Sequence, residues 1–187
     1  MLGFLPIPES VEVPQGELET IAVDHQGRIY CGGQFWQRVQ VYDRDGNFLY
    51  GWPIDASGGA FRLTADPQGR IHVAAARTQK HLVYATDGTL LSEEDLHELP
   101  QDFQSKTDLT DAVGNRYVIR SPHLFPRVIR IDRDGRPHRV VGTRWYLWLV
   151  QGPIPAWPIA VVGMLLLAIS QNMRRRSGHK RVGIGTK

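Results

Sequence analysis

The sequence is poor in residues that crosslink small domains through disulfides or bound metal. Its 187 residues include one cysteine, Cys31, so an internal disulfide is impossible and a cysteine-based zinc site has no ligand set. Cys31 is interpreted as a small apolar strand residue. The opening residues 1–6 have no basic region and too short an apolar run for an export signal. This leaves a cytosolic domain, export by another route, or a natural start other than Met1.

Motifs that carry chemistry are also missing. The sequence contains no His-Glu-x-x-His pair, no Gly-x-Ser-x-Gly, no phosphate-binding glycine loop and no dinucleotide fingerprint. Segments 43–46 and 132–135 begin like calcium loops but lack the acidic residue that closes one. The sequence therefore predicts no metal site, no cofactor and no catalytic residue.

Charge is balanced in the body of the chain and basic only at its end. Six of the 22 Lys and Arg residues follow residue 170, in a tail without acidic residues. The rest of the chain holds 16 basic and 19 acidic residues, so the net charge of +3 belongs to the tail. No nucleic-acid partner is predicted.

What the sequence does have is an internal repeat. Segments 21–30, 63–72 and 109–118 share an Asp-x-x-Gly turn between two apolar runs, and each is followed by a second run that ends in Asp-Gly. The first marker, Asp24, Asp66 and Asp111, recurs after 42 and 45 residues; the second, Asp45, Asp87 and Asp134, recurs after 42 and 47. A period of roughly 40 to 50 residues with short strands is typical of one propeller blade.

The repeat consists of strands and tight hairpins. The Asp side chain of each turn can bond the turn backbone, while Gly takes the positive φ of a hairpin. Runs such as 39–42 alternate as half-buried strands do. No segment before residue 140 has a convincing helical period; the acidic stretch 92–99 is interpreted as an excursion between strands.

These motifs resemble the blades of NHL-type β-propellers over residues 18–142, after an N-terminal extension, 1–17. The third copy departs from the pattern, with Arg116 where the others have Ile29 and Ile71. The resemblance implies an all-β fold, a partial β-propeller of about three four-stranded blades. Closed propellers usually have at least four blades, which leaves three interpretations: a second chain pairs with this one into a six-bladed ring, the sheets form an open stack, or the chain is shortened relative to its relatives.

A hydrophobic segment follows the repeats. Residues 145–170 contain no charged side chain, enough for a helix across a bilayer core of about 30 Å. Because prolines interrupt its first half, we expect an interfacial linker at 143–153, a transmembrane helix at 154–173 and a basic tail at 174–187. The residues expected at the membrane interface are Trp145, Tyr146, Trp148, Trp157, Arg174, Arg175 and Arg176.

Flanking charges give the orientation only weakly. Five basic residues lie within 15 positions of the segment on each side. Since short tails count more than folded domains, the tail is predicted to be cytoplasmic and the propeller extracytoplasmic. The alternative is a cytosolic propeller with a tail anchor, which the missing export signal favours.

The sequence favours a binding function over a catalytic function. It predicts a single-pass membrane protein whose propeller acts as a non-enzymatic binding or scaffold module. Its expected partners are membrane lipid and a protein partner or a second copy that completes the ring. The candidate contact residues lie in inter-strand loops: Phe35, Trp36, Arg38, His81, His123 and Phe125. The alternatives are inter-blade packing for Phe35 and Trp36, a propeller-type metal-dependent hydrolase or lyase, and an accessory subunit of a larger membrane complex.

Overall fold

The computed structural model describes residues 7–15, 18–97, 107–121, 126–142 and 161–169. Within these ranges the chain forms three antiparallel sheets, each of four strands in sequence order. Sheet 1 contains β1 (Leu18–Val23), β2 (Ile29–Gly33), β3 (Arg38–Tyr42) and β4 (Phe48–Pro53). Sheet 2 contains β5 (Phe61–Ala65), β6 (Ile71–Ala75), β7 (Lys80–Tyr84) and β8 (Leu90–Asp95). Sheet 3 contains β9 (Asp108–Thr110), β10 (Arg116–Arg120), β11 (Arg127–Ile131) and β12 (Pro137–Gly142).

The hairpins within the sheets use the turn that the sequence repeat predicts. In sheet 1 the Gly27 amide donates to the Asp24 carbonyl at 3.0 Å, and the Asp24 amide donates to the Arg28 carbonyl at 3.2 Å. Gly27 has φ +80°, which residues with a side chain rarely adopt. The aligned turn glycines have the same sign of φ: Gly46, Gly69, Gly88, Gly114 and Gly135.

Each sheet has two faces because side chains alternate along a strand. In sheet 1 one face carries Ile21, Ile29 and Cys31, and the opposite face carries Tyr30 and Val41. We call the face with Ile21, and the aligned face of the other sheets, the first face. The opposite face is the second face.

The second face of sheet 1 packs on the first face of sheet 2. The Leu63 amide donates to Oγ1 of Thr20 at 3.0 Å, and the Tyr50 hydroxyl donates to the Thr86 carbonyl. A buried apolar cluster fills this junction: Ala22, Tyr30, Val39, Val41 and Trp52 of sheet 1, Phe61, Leu63, Ile71, Val73, Ala75, Leu82 and Tyr84 of sheet 2, and Ile54 and Ala56 from the connection between the sheets.

The first face of sheet 1 packs on the second face of sheet 3. Arg130 Nη1 donates to the Arg44 carbonyl at 2.7 Å. A second buried cluster fills this junction: Leu18, Ile21, Ile29, Cys31 and Tyr42 of sheet 1 with Tyr117, Ile119, Val128, Val140 and Val141 of sheet 3. Both junctions join a second face to a first face, so the sheets follow one another in space as 3, 1, 2.

Burial agrees with a central position for sheet 1. Every residue of β2 and of β3 is buried, whereas the outer strand β8 of sheet 2 is exposed along most of its length. The inner strands β1, β5 and β9 together line a cleft of about 140 Å³. The three sheets therefore share one centre, as blades do.

The segment 7–15 lies against sheet 1. The Val13 amide donates to Oε1 of Gln40 at 2.8 Å, and Nε2 of Gln40 returns a bond to the Val13 carbonyl at 2.9 Å. The Gly51 amide of β4 donates to the Glu9 carbonyl at 2.9 Å. These bonds satisfy polar groups on a face where Gln40 is otherwise buried.

The structure confirms an all-β fold consistent with a partial propeller and corrects one expectation. The acidic stretch 92–99 is not an excursion, since 92–95 belong to β8, where Lys80 of β7 pairs with Glu93 and Asp95. Of the segment 154–173, where a membrane helix is expected, the structure describes residues 161–169, which are helical; the other residues of the segment lie outside the described ranges. No helix in the described ranges is both long and apolar enough to span a bilayer.

Candidate functional site

The Asp that opens each repeat organises its own turn. Oδ1 of Asp24 accepts the Gln26 and Arg28 amides at 2.9 and 3.0 Å. Oδ2 accepts Nε of Arg28 at 2.7 Å and the Tyr30 hydroxyl at 3.0 Å. The carboxylate is thereby fully used, which explains how it tolerates burial at 4 % exposure.

Sheet 3 repeats this arrangement. Asp111 accepts the Asn115 amide at 2.8 Å, Nδ2 of Asn115 at 2.9 Å and the Tyr117 hydroxyl at 3.3 Å. Asn115 replaces Arg28 and Tyr117 replaces Tyr30. A tyrosine six residues after the Asp is thus common to sheets 1 and 3.

Sheet 2 differs at this position. Asp66 accepts the Arg70 amide at 2.8 Å and Nε of Arg70 at 2.6 Å, but its third partner is Nε2 of His72 at 3.0 Å. His72 Nδ1 lies 3.0 Å from Nε2 of His81, and the two rings stack with centroids 5.2 Å apart. His81 on β7 stands where Val39 stands on β3. Two changes from the repeat therefore create the Asp66–His72–His81 chain.

The charge state of Asp66 determines the direction of one hydrogen bond in this chain. Burial raises the pKa of Asp66, but bonds from His72 and Arg70 outweigh it and hold the pKa at about 2. An ionised carboxylate can only accept, so Nε2 of His72 carries a hydrogen and donates it to Asp66. Burial and the neighbouring His72 lower the pKa of His81, and Glu94 opposes them.

The Asp66–His72–His81 chain of hydrogen bonds lies on the second face of sheet 2. Across the strands His72 is paired with Thr64 and Val83, and His81 with Ala74 and Glu94. In sheets 1 and 3 this face is buried in a junction. In the described part of the chain no group of three or more His, Cys, Asp and Glu side chains could hold a metal ion.

The hairpin between β2 and β3 holds three predicted contact residues in different settings. Phe35 is 39 % exposed and meets Trp36 edge to face at 5.0 Å. Nε1 of Trp36 donates to the Pro14 carbonyl at 3.0 Å, so this indole anchors the segment 7–15. Phe35 is the more accessible of the two aromatic rings.

Arg38, predicted as an exposed contact, is 3 % exposed. Its Nη1 donates to the Ile7 carbonyl at 3.0 Å, and its Nη2 donates to the carbonyls of Pro8, Glu9 and Gly51 at 2.8, 3.2 and 2.8 Å. Burial lowers the pKa of Arg38, and Glu9 and Tyr42 oppose this. Arg38 thus clamps the segment 7–15 to sheet 1.

Of the remaining predicted residues, His81 gains a partner and the others lie outside the described residues. His81 is brought against His72, a pairing that sequence reasoning missed. The sequence did contain a signal for this pairing, since His72 occupies the position that is tyrosine in the other two repeats. His123, Phe125 and the interface set Trp145, Tyr146, Trp148, Trp157, Arg174, Arg175 and Arg176 fall outside the described ranges.

A second cleft, of about 80 Å³, lies between the turns of sheets 1 and 3. Asp24, His25, Arg44 and Asp111 line it. This cleft and the central one are both smaller than the roughly 300–1,000 Å³ typical of small-molecule sites. Neither cleft has the size of a typical small-molecule site, so the proposed contacts are sought on the sheet faces.

No family model and no curated protein matches the chain. Solved structures with a similar arrangement include virginiamycin B lyase from Staphylococcus aureus, at 14% identity and a TM-score of 0.40, covering 72% of this chain and 44% of the lyase. Hydrazine synthase from Kuenenia stuttgartiensis has 15% identity and a TM-score of 0.39, over 74% of this chain and 38% of the other. A putative exported protein from Bacteroides fragilis has 12% identity and a TM-score of 0.35, over 67% and 37%. The chain spans less than half the length of each.

Proposed function

We propose that this protein is a membrane-anchored, propeller-type binding module that acts through surface contact. The observation that carries the proposal is the unequal covering of the sheets. Sheet 1 is covered on both faces, whereas Val118, Ile129 and Ile131, which share the first face of sheet 3, are only half-buried. Branched aliphatic side chains on a pleated face are suited to packing against another sheet.

The use of the acidic groups supports contact over catalysis. The carboxylates of Asp24 and Asp111 are consumed by their own turns, and Asp43 likewise accepts the amides of Asp45 and Asn47 at 2.9 and 2.8 Å. Such carboxylates hold hairpins in shape. The repeat's resemblance to NHL-type blades fits a rigid binding scaffold.

Substitution on the first face of sheet 3 tests the contact role. Ile129→Arg places a charge on this face, and Leu49→Arg is the control, because Leu49 is 42 % exposed on β4 of sheet 1. The full chain, purified in mild detergent, is weighed by light scattering, and its fold is checked by circular dichroism. We expect Ile129→Arg alone to remove a bound protein subunit. Wild-type particles of one chain, unaffected by either change, would refute the proposal.

Membrane anchoring is the second part of the proposal. It is supported by the uncharged stretch 145–170 and by Arg174, Arg175 and Arg176, which follow as a basic stop. We propose an extracytoplasmic propeller and a cytoplasmic tail. Alkaline extraction should leave the protein in the membrane, and external protease should digest the propeller in intact cells. Release by alkali contradicts the anchor, and digestion only after lysis contradicts the orientation.

The Asp66–His72–His81 chain favours a second candidate, a propeller-type hydrolase or lyase. A half-buried histidine oriented by a histidine and a carboxylate has the geometry of a general base. A metal at one equivalent per chain in the purified protein, lost in His81→Val, would favour this candidate. Absence of metal and retention of association in His81→Val would favour the binding module. A third candidate, an accessory subunit, requires a fixed set of other proteins to co-purify.

A further inference from the structure

We propose that the partner is a second copy of this chain: the second face of sheet 2 docks on the first face of sheet 3 of the other copy, and the reverse contact closes a ring of six sheets. This inference rests on the proposed binding function and names its partner. It follows from the two junctions already present in the chain.

Both junctions share one polar contact. In the spatial order 3, 1, 2, the carbonyl of the residue before an Asp-Gly turn accepts a hydrogen bond from a side chain on the second face of the sheet before it. Tyr50 of sheet 1 donates to the Thr86 carbonyl of sheet 2, and Arg130 of sheet 3 donates to the Arg44 carbonyl of sheet 1. The third carbonyl in this series is that of Arg133, on sheet 3.

Both junctions also share a packing contact at the turn glycine. A Cβ added to Gly46 would lie 1.5 Å from the Val140 carbonyl oxygen of β12, and one added to Gly88 would lie 2.9 Å from the Trp52 ring of β4. In each case the outer strand of the preceding sheet covers the glycine. At Gly135 of sheet 3, no heavy atom of the described residues comes within 4 Å of an added Cβ. The corresponding outer strand is β8, on which Glu94 aligns with Trp52.

The chemistry of the two faces is complementary at this point. Glu94 is exposed, and the turn around Gly135 carries the exposed residues Arg133 and Arg136. A carboxylate seated over this turn would lie between two guanidinium groups. Glu94 is thus suited to pack on the basic turn at Gly135. In the same way, the indole of the aligned Trp52 is suited to pack on Gly88.

The inner strands give a second complementary pair. The contact of Thr20 with Leu63 joins sheets 1 and 2, and the repeat offsets of 42 and 45 carry these positions to Arg62 of sheet 2 and Asp108 of sheet 3. Docking would therefore bring an arginine beside an aspartate. Each already has one opposite charge, since Arg62 pairs with Glu19 and Asp108 with Arg116, so the contact extends two existing ion pairs.

Two copies are sufficient to close the ring, because no docking face is left unpaired. Each chain has one end of each kind, the second face of sheet 2 and the first face of sheet 3. A two-fold axis satisfies both ends of both chains at once, whereas a contact that did not close would produce filaments. The six sheets that result fall within the typical range of four to eight blades.

Thiol crosslinking in the full chain tests the predicted pairing. The variant Arg62→Cys with Asp108→Cys is treated in detergent with a short bifunctional thiol reagent. The control variant, Leu49→Cys with Asp108→Cys, places one thiol on sheet 1. Cys31 is fully buried and burial raises the pKa of its thiol, so it stays unreactive. We expect covalent dimers from the first variant only. Equal yields from both variants, or monomers from both, would overturn the pairing.

Charge reversal on β8 gives an independent readout. Glu94→Arg should weaken dimer formation at least about tenfold because it places like charges together. Glu93→Arg, on the opposite face of the same strand, should leave the dimer unchanged. An unchanged dimer in Glu94→Arg removes the proposed contact. If the wild type is instead a single chain that binds a different protein through the Ile129 face, the binding function stands and self-association falls.

Discussion

His72 and His81 face each other across β6 and β7 with Nδ1 and Nε2 3.0 Å apart, at positions where sheet 1 has Tyr30 and Val39. The pair is linked through His72 to the ionised Asp66, as the aligned tyrosines are linked to Asp24 and Asp111. Sheet 2 thus replaces a tyrosine and a valine with two polar rings while keeping the turn. The replacement puts titratable groups on a face that the other sheets bury.

Restoring the repeat residues should stabilise sheet 2. In His72→Tyr with His81→Val, a hydroxyl bonds Asp66 and a valine replaces a half-buried polar ring, so we expect a gain of about 1 kcal/mol in the free energy of unfolding. His72→Ala alone should cost about 1–2 kcal/mol because it removes the hydrogen bonds that His72 makes with Asp66 and His81. Denaturant unfolding of the full chain in detergent measures both. A double variant less stable than the wild type would show that the histidines stabilise the fold.

The pH dependence of stability should show the lowered pKa of His81. The unfolded state gains its proton near pH 6.5, before the folded state does, so the free energy of unfolding should fall as pH drops from 7 through 6 and level off once the folded state is protonated. His72, Asp66 and Glu94 are the titratable groups facing this ring on sheet 2. His81→Val should remove this part of the slope. An identical slope in His81→Val would assign it to other groups.

The junction between sheets 1 and 3 depends on the missing side chain at Gly46. Gly46→Ala combines positive-φ strain with a clash against the Val140 carbonyl. Gly114→Ala has a similar φ but no close backbone neighbour, so it should cost only about 1 kcal/mol. We expect Gly46→Ala to lower the free energy of unfolding by at least about 2 kcal/mol more. Equal losses in thermal or denaturant unfolding would show that this junction is not held at Gly46.

The clamp at Arg38 should control the segment 7–15. Arg38→Lys keeps the charge but cannot reach four carbonyls at once, so these backbone groups lose partners. Faster amide exchange is expected at Gly51 and Val13, which are bonded within this contact. Arg77→Lys is the control, because Arg77 donates to the exposed Ser57 carbonyl. Unchanged exchange in Arg38→Lys would mean that other contacts, such as those of Gln40, Trp36 and Tyr42, are sufficient to hold the segment.

The repeat and its turns could be predicted because local chemistry determines them. Asp-x-x-Gly at 24–27, 66–69 and 111–114 specifies a hairpin whatever surrounds it, and the structure forms one at each place. Sheet 3 pairs in register despite Arg116, because that side chain lies on the first face and bonds Asp108 instead of entering the junction core.

The order of the sheets and the histidine pair could not be predicted in the same way. Sheet order depends on which faces meet, and the repeat pattern does not determine this. The residue Arg38 shows the same limit: a loop-edge arginine suggests exposure, but a distant segment supplies four carbonyls that bury it. His72 and His81 are nine positions apart and meet only through the β6–β7 register.

The mass of the full chain in mild detergent, measured by native mass spectrometry, tests the central claim most directly. We expect a particle containing two copies of the 21.1 kDa chain, which splits into single chains when Glu94 is changed to Arg and not when Glu93 is. A particle of one chain at every protein concentration, or a dimer that Glu94→Arg leaves intact, would contradict it.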